Sequence, residues 1–279
     1  MVPAIVVRGE AISDAQQRNF AASVLVVHCD ALERTDAGCW QLRTLPLHEA
    51  LGVEIHNWQV FDEANTPSAA RAPCFSGVLL PGGWVLTALH GRRAASAPAL
   101  LRDLRFLLGY RQAAQAKQNL QFMSGRTLLR ARRVVCGGAD SPQQDWALFQ
   151  LDAPAALLPP PVVLSCRDPP VGTPLYLCGF PFGMPLRVSD GGHWLPAAEA
   201  GAFQARLTAF RCHSGAGVFA AHDHTLVGWL LAGHRDLRCI SPLGPAFEWC
   251  QFACEDAAPA ELCRSVRALP GRWLRQFVV

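Results

Sequence analysis

The chain has 279 residues, of which 51% are hydrophobic and only 17% are charged. This composition excludes intrinsic disorder, and the length suits one large globular domain or two small ones. Its net charge of +3 is too small to indicate a surface built for nucleic acid or for a membrane, so neither is expected as a partner.

Short apolar runs, broken by glycine, proline, aspartate and asparagine, follow one another along most of the chain. Runs of this length between turn residues predict strands. We assign strands to residues 23–27, 77–80, 84–88, 105–108, 146–151, 161–164, 175–179, 217–220 and 226–231. Many short strands in succession, with few stretches of helical period, predict an all-β barrel or sandwich.

Two segments interrupt this pattern. Residues 152–161 contain three consecutive prolines, which neither a helix nor a β-ladder accommodates. We therefore expect a linker there, between a first β half at residues 1–152 and a second at residues 153–279. Residues 258–276 have apolar and basic residues at roughly helical spacing, and they predict a short C-terminal helix.

The eleven cysteines are an odd number in a long chain. The N-terminal sequence lacks the charged and apolar regions of a secretory signal peptide. We therefore expect mostly free thiols and a cytoplasmic protein. Cys250, Cys254 and Cys263 lack the paired spacing of zinc sites, so neither a metal nor another cofactor is predicted.

Three residues are suited to acyl transfer. Ser214 lies in the turn Cys-His-Ser-Gly-Ala-Gly, which can present a hydroxyl beside converging backbone N–H groups. His90 ends the second strand of a predicted Gly-Gly hairpin, where a rigidly held imidazole suits a general base. Asp145 precedes a predicted buried strand. Taken singly, each has an ordinary alternative as a turn serine, a surface histidine or a strand-capping aspartate.

The order of these three residues, together with their surrounding segments, resembles the trypsin-like serine peptidases of the chymotrypsin fold. Residues 77–90 are similar to the family's Gly-Phe-Leu-Val…Leu-Val-Leu-Thr-Ala-x-His, and residues 145–151 to its Asp-x-Ala-Leu-x-x-Leu. Residues 179–187 resemble the Gly-x-Pro-x-Gly-x-Pro-Leu-Lys segment of bacterial members, and residues 227–233 their Val-Gly-x-x-x-x-Gly strand.

The resemblance implies two six-stranded antiparallel β-barrels, the first carrying His90 and Asp145 and the second carrying Ser214. It also implies a serine endopeptidase that acts on proteins or peptides. Ser214 would attack the peptide carbonyl, His90 would transfer the proton and Asp145 would orient His90. The backbone N–H groups of Cys212 and Ser214 would bind the oxyanion.

By the same resemblance, Thr208, Leu230 and Gly233 fall where the family places its substrate cleft. The residues before the serine include no acid that would pair with a lysine or arginine side chain of the substrate. Leu230 stands where glutamate-specific bacterial members carry a histidine. The expected specificity is therefore neither trypsin-like nor glutamyl.

Two residues depart from the family's pattern. Cys212 stands where a glycine is usual, and a residue with a Cβ adopts that glycine's conformation less readily. His213 stands where aspartate or asparagine is usual, which excludes activation by a freed N-terminus that pairs with an aspartate. Cys212 as the nucleophile of a cysteine peptidase is disfavoured, because it lies two residues from the position presented to His90.

A third departure concerns disulfides. In many family members a cysteine follows the catalytic histidine and pairs with one on the preceding strand. Gly91 follows His90 here, so Cys74 has no such partner, which agrees with a reducing compartment. Three hypotheses follow: an active endopeptidase, a protease-like binding module without a working oxyanion hole, and an effector that a regulatory protein switches on.

Overall fold

The structure, a computed structural model, describes residues 12–51, 54–55, 68–70, 74–89, 96–111, 121–122, 127–136, 145–195, 203–232, 237–239, 246–249 and 265–270. In chain order the strands are β1 (Ser23–His28), β2 (Leu32–Arg34), β3 (Trp40–Leu42), β4 (Thr44–Pro46), β5 (Glu54–Ile55), β6 (Ser68–Ala70), β7 (Cys74–Leu80), β8 (Trp84–Thr87), β9 (Leu104–Leu108), β10 (Gln121–Phe122), β11 (Leu128–Leu129), β12 (Ala131–Cys136), β13 (Ala147–Leu151), β14 (Pro174–Gly179), β15 (Arg187–Leu195), β16 (Phe203–Arg206), β17 (Gly217–Ala220), β18 (Leu226–Ala232), β19 (Leu237–Cys239), β20 (Ala246–Trp249) and β21 (Ser265–Pro270). The α-helices are α1 (Asp14–Ala21), α2 (Leu47–Leu51) and α3 (Ala97–Asp103).

Seven strands form the first large sheet, which is antiparallel and has the order β11-β9-β1-β7-β8-β13-β12. Val24–Val27 of the interior strand β1 are fully buried, as their uninterrupted apolar run leads one to expect. β7 and β8 form the predicted hairpin. Its turn contains Gly82 and Gly83 at φ +73° and +74°, a backbone conformation that glycine adopts readily.

Six strands form the second sheet, a closed antiparallel barrel with the order β14-β15-β16-β21-β18-β17. The predicted all-β fold with two β-barrel halves is confirmed, although the first sheet has seven strands rather than six. Three smaller sheets have the orders β10-β3-β2, β19-β20-β5 and β4-β6.

The predicted C-terminal helix over residues 258–276 is wrong at residues 265–270, which form β21. The rest of that segment lies outside the described residues. β21 pairs with β16 on one side and with β18 on the other, and it thereby closes the barrel. These pairings with distant strands outweigh the local helical pattern.

The segment that joins the two sheets is irregular, as the three prolines predicted. The strand predicted at residues 161–164 is wrong: the N–H of Val162 donates to Leu79 in the first sheet at 3.1 Å, and Leu164 makes only a single bridge with Leu226 of the barrel. This segment therefore contacts both sheets. The division of the chain at residue 152 stays a prediction.

Helix α1 was not predicted from the hydrophobic pattern. Ser13 and Gln16 form a capping box at its N-terminus, in which each side chain accepts a hydrogen bond from the other's backbone N–H. Asn19 on α1 donates to the Tyr176 hydroxyl at 2.8 Å and to the His224 carbonyl at 2.8 Å, which docks the helix on the barrel. None of the helices in the described ranges has the length and hydropathy that crossing a membrane requires.

Candidate active site

Asp145 is buried two residues before β13, with 2% of its surface exposed. Its Oδ1 accepts a hydrogen bond of 3.0 Å from the backbone N–H of Leu89, which lies two residues after β8. β8 and β13 are neighbours in the first sheet, so their adjacent ends bring the two residues together. His90 itself lies outside the described residues, but its chain neighbour is held directly against the predicted orienting carboxylate.

Ser214 lies in the loop of residues 210–216, called here the serine loop, which precedes β17 of the barrel. The loop is fastened to β7 of the first sheet through Ser76. The Ser76 N–H donates to the Ser214 carbonyl at 2.9 Å, and the Ser76 hydroxyl donates to the Cys212 carbonyl at 2.7 Å. The predicted nucleophile therefore lies where the two sheets meet.

Gly215 fixes how closely the serine loop approaches the first sheet. A Cβ at this position would overlap the Ser76 carbonyl oxygen and would lie 2.8 Å from the Ala88 nitrogen. Its φ of +87° also lies in the left-handed region, which favours glycine. On its other side, the Gly215 N–H donates to the Leu230 carbonyl at 2.7 Å. Ser214 is thus seated beside the backbone that leads through Ala88 and Leu89 to residue 90.

The two predicted oxyanion donors are the backbone N–H groups of Cys212 and Ser214. Within the part of the chain that the structure describes, neither N–H has a hydrogen-bond partner. Cys212 has a φ of +72°, which for a residue with a Cβ costs roughly 1–2 kcal/mol. Strain of this kind persists only where the surroundings enforce it. The loop is therefore held in a strained conformation, with two N–H groups that are unpaired among the described residues.

His213, between these two donors, is buried with only 1% of its surface exposed. Its Nδ1 accepts a 3.0 Å hydrogen bond from the Phe210 N–H, while its Nε2 has no hydrogen-bond partner among the described residues. Burial lowers the pKa of His213 to about 3, because the interior penalises the charged imidazolium. The residue before the predicted nucleophile is therefore neutral.

A solved structure supports this architecture. The serine endoprotease from Yersinia pestis matches with a TM-score of 0.53 and 15% sequence identity, over 95% of this chain and 64% of that chain. The chain shares the fold of that endoprotease. Two crystal structures of Rv3671c in an inactive form are also similar. The first is a serine-to-alanine mutant from M. tuberculosis H37Rv, with a TM-score of 0.49 and 11% identity over 99% of this chain and 94% of that chain. The second is the Rv3671c protease, with a TM-score of 0.48 and 12% identity over 94% of this chain and 90% of that chain. No protein-family model and no curated protein matches the chain.

Two of the predicted cleft residues of this protease fold lie within the described residues, and both are buried. Leu230 on β18 is 1% exposed, and its backbone bonds to the serine loop through Gly215 and through the Ala216 carbonyl, 2.9 Å away. Thr208 is 4% exposed and lies two residues before the serine loop. Gly233 lies outside the described residues. The assignment of all three to a substrate cleft stays a prediction.

The structure also brings together two thiols that the sequence did not pair. Cys74 Sγ, at the start of β7, lies 2.7 Å from Cys212 Sγ in the serine loop, although 138 positions separate them. The contact with Cys212 and burial raise the pKa of Cys74. The Cys212 sulfur thus faces Cys74, which is a further reason against Cys212 as a nucleophile.

Metal-ligating side chains occur together at one place in the described ranges. Ligand atoms of His28, Cys29 and Asp103 lie within 4.8 Å of one another. The guanidinium of Arg102 pairs with the Asp103 carboxylate at 2.7 Å, so a cation would compete with an arginine for this ligand. Cys250, Cys254 and Cys263 lie outside the described residues.

Proposed function

We propose that the protein is a serine endopeptidase with Ser214 as nucleophile, His90 as general base and Asp145 as the residue that orients His90. One arrangement carries this proposal. Asp145 bonds the backbone of Leu89, and Gly215 packs against the backbone of Ala88. The residue after the predicted nucleophile and the predicted orienting carboxylate thus contact Ala88 and Leu89, the two residues that directly precede His90.

The reaction proposed is acyl transfer through an acyl-enzyme. His90 takes the proton of the Ser214 hydroxyl as the oxygen attacks a peptide carbonyl, and it then gives that proton to the leaving amine. Asp145, buried beside the segment, stabilises the imidazolium that forms. Water then hydrolyses the ester on Ser214, with His90 again as the base.

The backbone N–H groups of Cys212 and Ser214 would stabilise the oxyanion. Both lack partners among the described residues, so no hydrogen bond to those residues has to break when a ligand arrives. Loss of one such donor costs about 2.7–4 kcal/mol of transition-state stabilisation. The availability of both amides supports an active enzyme.

The substrate class that fits this chemistry is a protein or peptide. We also propose that the enzyme works in the cytoplasm, as an effector that a regulatory protein switches on.

A second candidate function is a protease-like binding module that recognises protein without cleaving it. The observation that favours it is the strained backbone of Cys212, whose φ is +72°. If the loop relaxes in solution, its N–H would turn away from the oxyanion. Binding of a peptide would survive this change, whereas acyl transfer would not.

Labelling with a fluorophosphonate separates the two candidates. The wild-type chain should form an adduct on Ser214, and it should cleave members of a broad peptide library. The Ser214→Ala variant should lose both properties, while the Ser165→Ala variant, altered at a partly exposed serine outside the site, should keep both. A wild-type protein that binds peptides but never forms the adduct, alone or with its protein partners, would establish the binding module instead.

A further inference from the structure

Cys74 and Cys212 are free cysteines whose thiols are in direct contact. Their Sγ atoms lie 2.7 Å apart. A disulfide bond is about 2.05 Å long, so the sulfurs need to approach by only about 0.6 Å. Cys74 belongs to β7 of the first sheet and Cys212 to the serine loop of the barrel, so a bond here would join the two sheets at the site.

The bond would act on the most strained residue of the site. Cys212 has a φ of +72°, and its carbonyl is already held by the Ser76 hydroxyl at 2.7 Å. A cross-link through its side chain would hold the same residue from a second direction. Since a left-handed conformation at a non-glycine persists only where the surroundings enforce it, the cross-link would keep the Cys212 N–H in the position that the oxyanion requires.

We propose that Cys74 and Cys212 are a reversible disulfide site, and that its oxidation locks the serine loop in the conformation that presents the oxyanion donors. The chain would then be most reactive when oxidised and would lose reactivity on reduction. The effect on reactivity rests on the proposed endopeptidase function. The formation of the bond does not, because it depends only on the two thiols.

The oxidant is a low-molecular-weight disulfide, such as oxidised glutathione. Cys212 is partly exposed and Cys74 is buried, so Cys212 is the thiol that such a reagent reaches first. Cys212, after losing its proton, attacks one sulfur of the reagent and releases the other as a thiol, leaving a mixed disulfide. Cys74 then loses its proton, attacks the Cys212 sulfur and releases the second thiol. Two cysteine thiols are oxidised and one small disulfide is reduced to two thiols.

The first test measures the bond without reference to activity. The full chain is equilibrated with glutathione buffers of increasing oxidised fraction, its remaining thiols are alkylated, and its peptides are identified by mass spectrometry. We expect a linked peptide pair that contains Cys74 and Cys212 and has lost two hydrogen atoms. Oxidation should also raise the melting temperature, since a cross-link between distant residues restricts the unfolded chain.

The second test measures the rate at which a fluorophosphonate labels Ser214 in the same samples. The oxidised chain should react at least about tenfold faster, which is a fraction of the 10²–10³ that complete loss of an oxyanion donor costs. Cys74→Ser should react at the rate of the reduced wild type in every buffer. The matched control is Cys178→Ala, at a fully buried cysteine of β14, and it should keep the redox dependence.

Several results would overturn the proposal. One is the absence of the linked peptide at every buffer composition, and another is a linked peptide with no change in labelling rate although Ser214 is labelled in both states. Redox dependence that persists in Cys74→Ser would do the same. If Ser214 is unreactive in both states, in Ser214→Ala-controlled assays, the endopeptidase proposal fails. Whether the disulfide forms is then established by the linked peptide, together with a difference in melting temperature between the oxidised and reduced chains that Cys74→Ser abolishes.

Discussion

The two sides of the candidate site differ in how completely their polar groups are satisfied. On the side of β7, β8 and β13, the Thr87 hydroxyl donates to the Ser76 carbonyl at 2.6 Å, the Ser76 hydroxyl donates to the Cys212 carbonyl, and Asp145 accepts from Leu89. Hydrogen bonds thus fix each of these buried side chains. This side is therefore a firmly bonded support at the adjacent ends of β8 and β13.

The serine loop on the barrel side has the opposite character. It contains a non-glycine in the left-handed region at Cys212, a buried imidazole nitrogen without a described partner at His213, and two available N–H groups. Buried polar groups are normally paired, and exceptions gather at functional sites. Under the proposed function, one side supplies the framework and the other holds the groups that act on a ligand.

The largest expected effect comes from the rigid side. Asp145→Asn should keep much of the shape of the carboxylate but would favour the wrong tautomer of His90, so kcat/KM should fall by about 10⁴. Steady-state hydrolysis of a library-derived peptide is the measurement. Asp152→Asn, at an exposed aspartate just after β13, is the control and should retain full activity. Equal activity of both variants would contradict the role of Asp145.

Gly215→Ala tests the contact between the two sides. The new Cβ would meet the Ser76 carbonyl and the Ala88 nitrogen, and it would also add the cost of a left-handed backbone. We expect a loss of about 3 kcal/mol in the free energy of unfolding, with a melting temperature lower by roughly 6–12 °C.

The control for this clash is Gly172→Ala. Gly172 has nearly the same φ, +85°, but nothing lies within 4 Å of its added Cβ. It should lose only the backbone cost of about 1 kcal/mol, measured by the same thermal melts. Equal losses in Gly172→Ala and Gly215→Ala would show that the serine loop does not pack tightly against the first sheet.

The burial of His213 predicts that the free energy of unfolding depends on pH. Since burial lowers its folded-state pKa to about 3, the unfolded chain takes up a proton below about pH 6.5 that the folded chain does not. The free energy of unfolding should therefore fall with acidification, with about 2 kcal/mol of the loss between about pH 7 and pH 5 due to this group. Urea unfolding at several pH values measures it.

His213→Asn should remove that part of the pH dependence, because asparagine can still accept from the Phe210 N–H and does not titrate. The exposed His222 offers a matched control, and His222→Asn should follow the wild-type curve. A His213→Asn curve with the wild-type slope would mean that the imidazole is protonated or solvated in the folded chain.

The smallest effect is expected at Ser76, where the two sides are bonded together. Ser76→Ala removes the donor to the Cys212 carbonyl and the acceptor of a 3.0 Å bond from the Phe180 N–H. Leaving these groups unpaired should cost about 1–2 kcal/mol in chemical denaturation. Ser189→Ala removes a buried hydroxyl without a partner in the described chain, and it should be neutral or slightly stabilising.

Much of the framework could be predicted from the sequence, because buried strands are apolar runs bounded by turn residues. The apolar runs at β1, β7, β8 and β13 bounded their strands to within a few residues, and the Gly-Gly pair marked the hairpin. Helix α1 was missed even though Ser13 and Gln16 carry a capping-box signal. Its apolar periodicity is weak, and the helix is fixed by Asn19, which bonds to a residue 157 positions away.

The properties of the serine loop depended on contacts that no local pattern records. The sequence identified Cys212 and His213 as unusual, but the burial that keeps His213 neutral comes from the surrounding fold. The approach of Cys74 to Cys212 depends on how the barrel docks against β7. The same reason explains the C-terminal error, because β21 is a strand only where β16 and β18 offer it partners.

The hydrogen bonds of Ser76 make the conformation of the serine loop depend on the order in which the two sheets fold. Ser76 donates twice to the serine loop, through its N–H to Ser214 and through its hydroxyl to Cys212. A barrel that folds first would lack both donors, so its serine loop would be free to take a relaxed conformation. The site would then arise only when the barrel docks on the first sheet, and a newly made chain would be unreactive toward its neighbours until folding is complete.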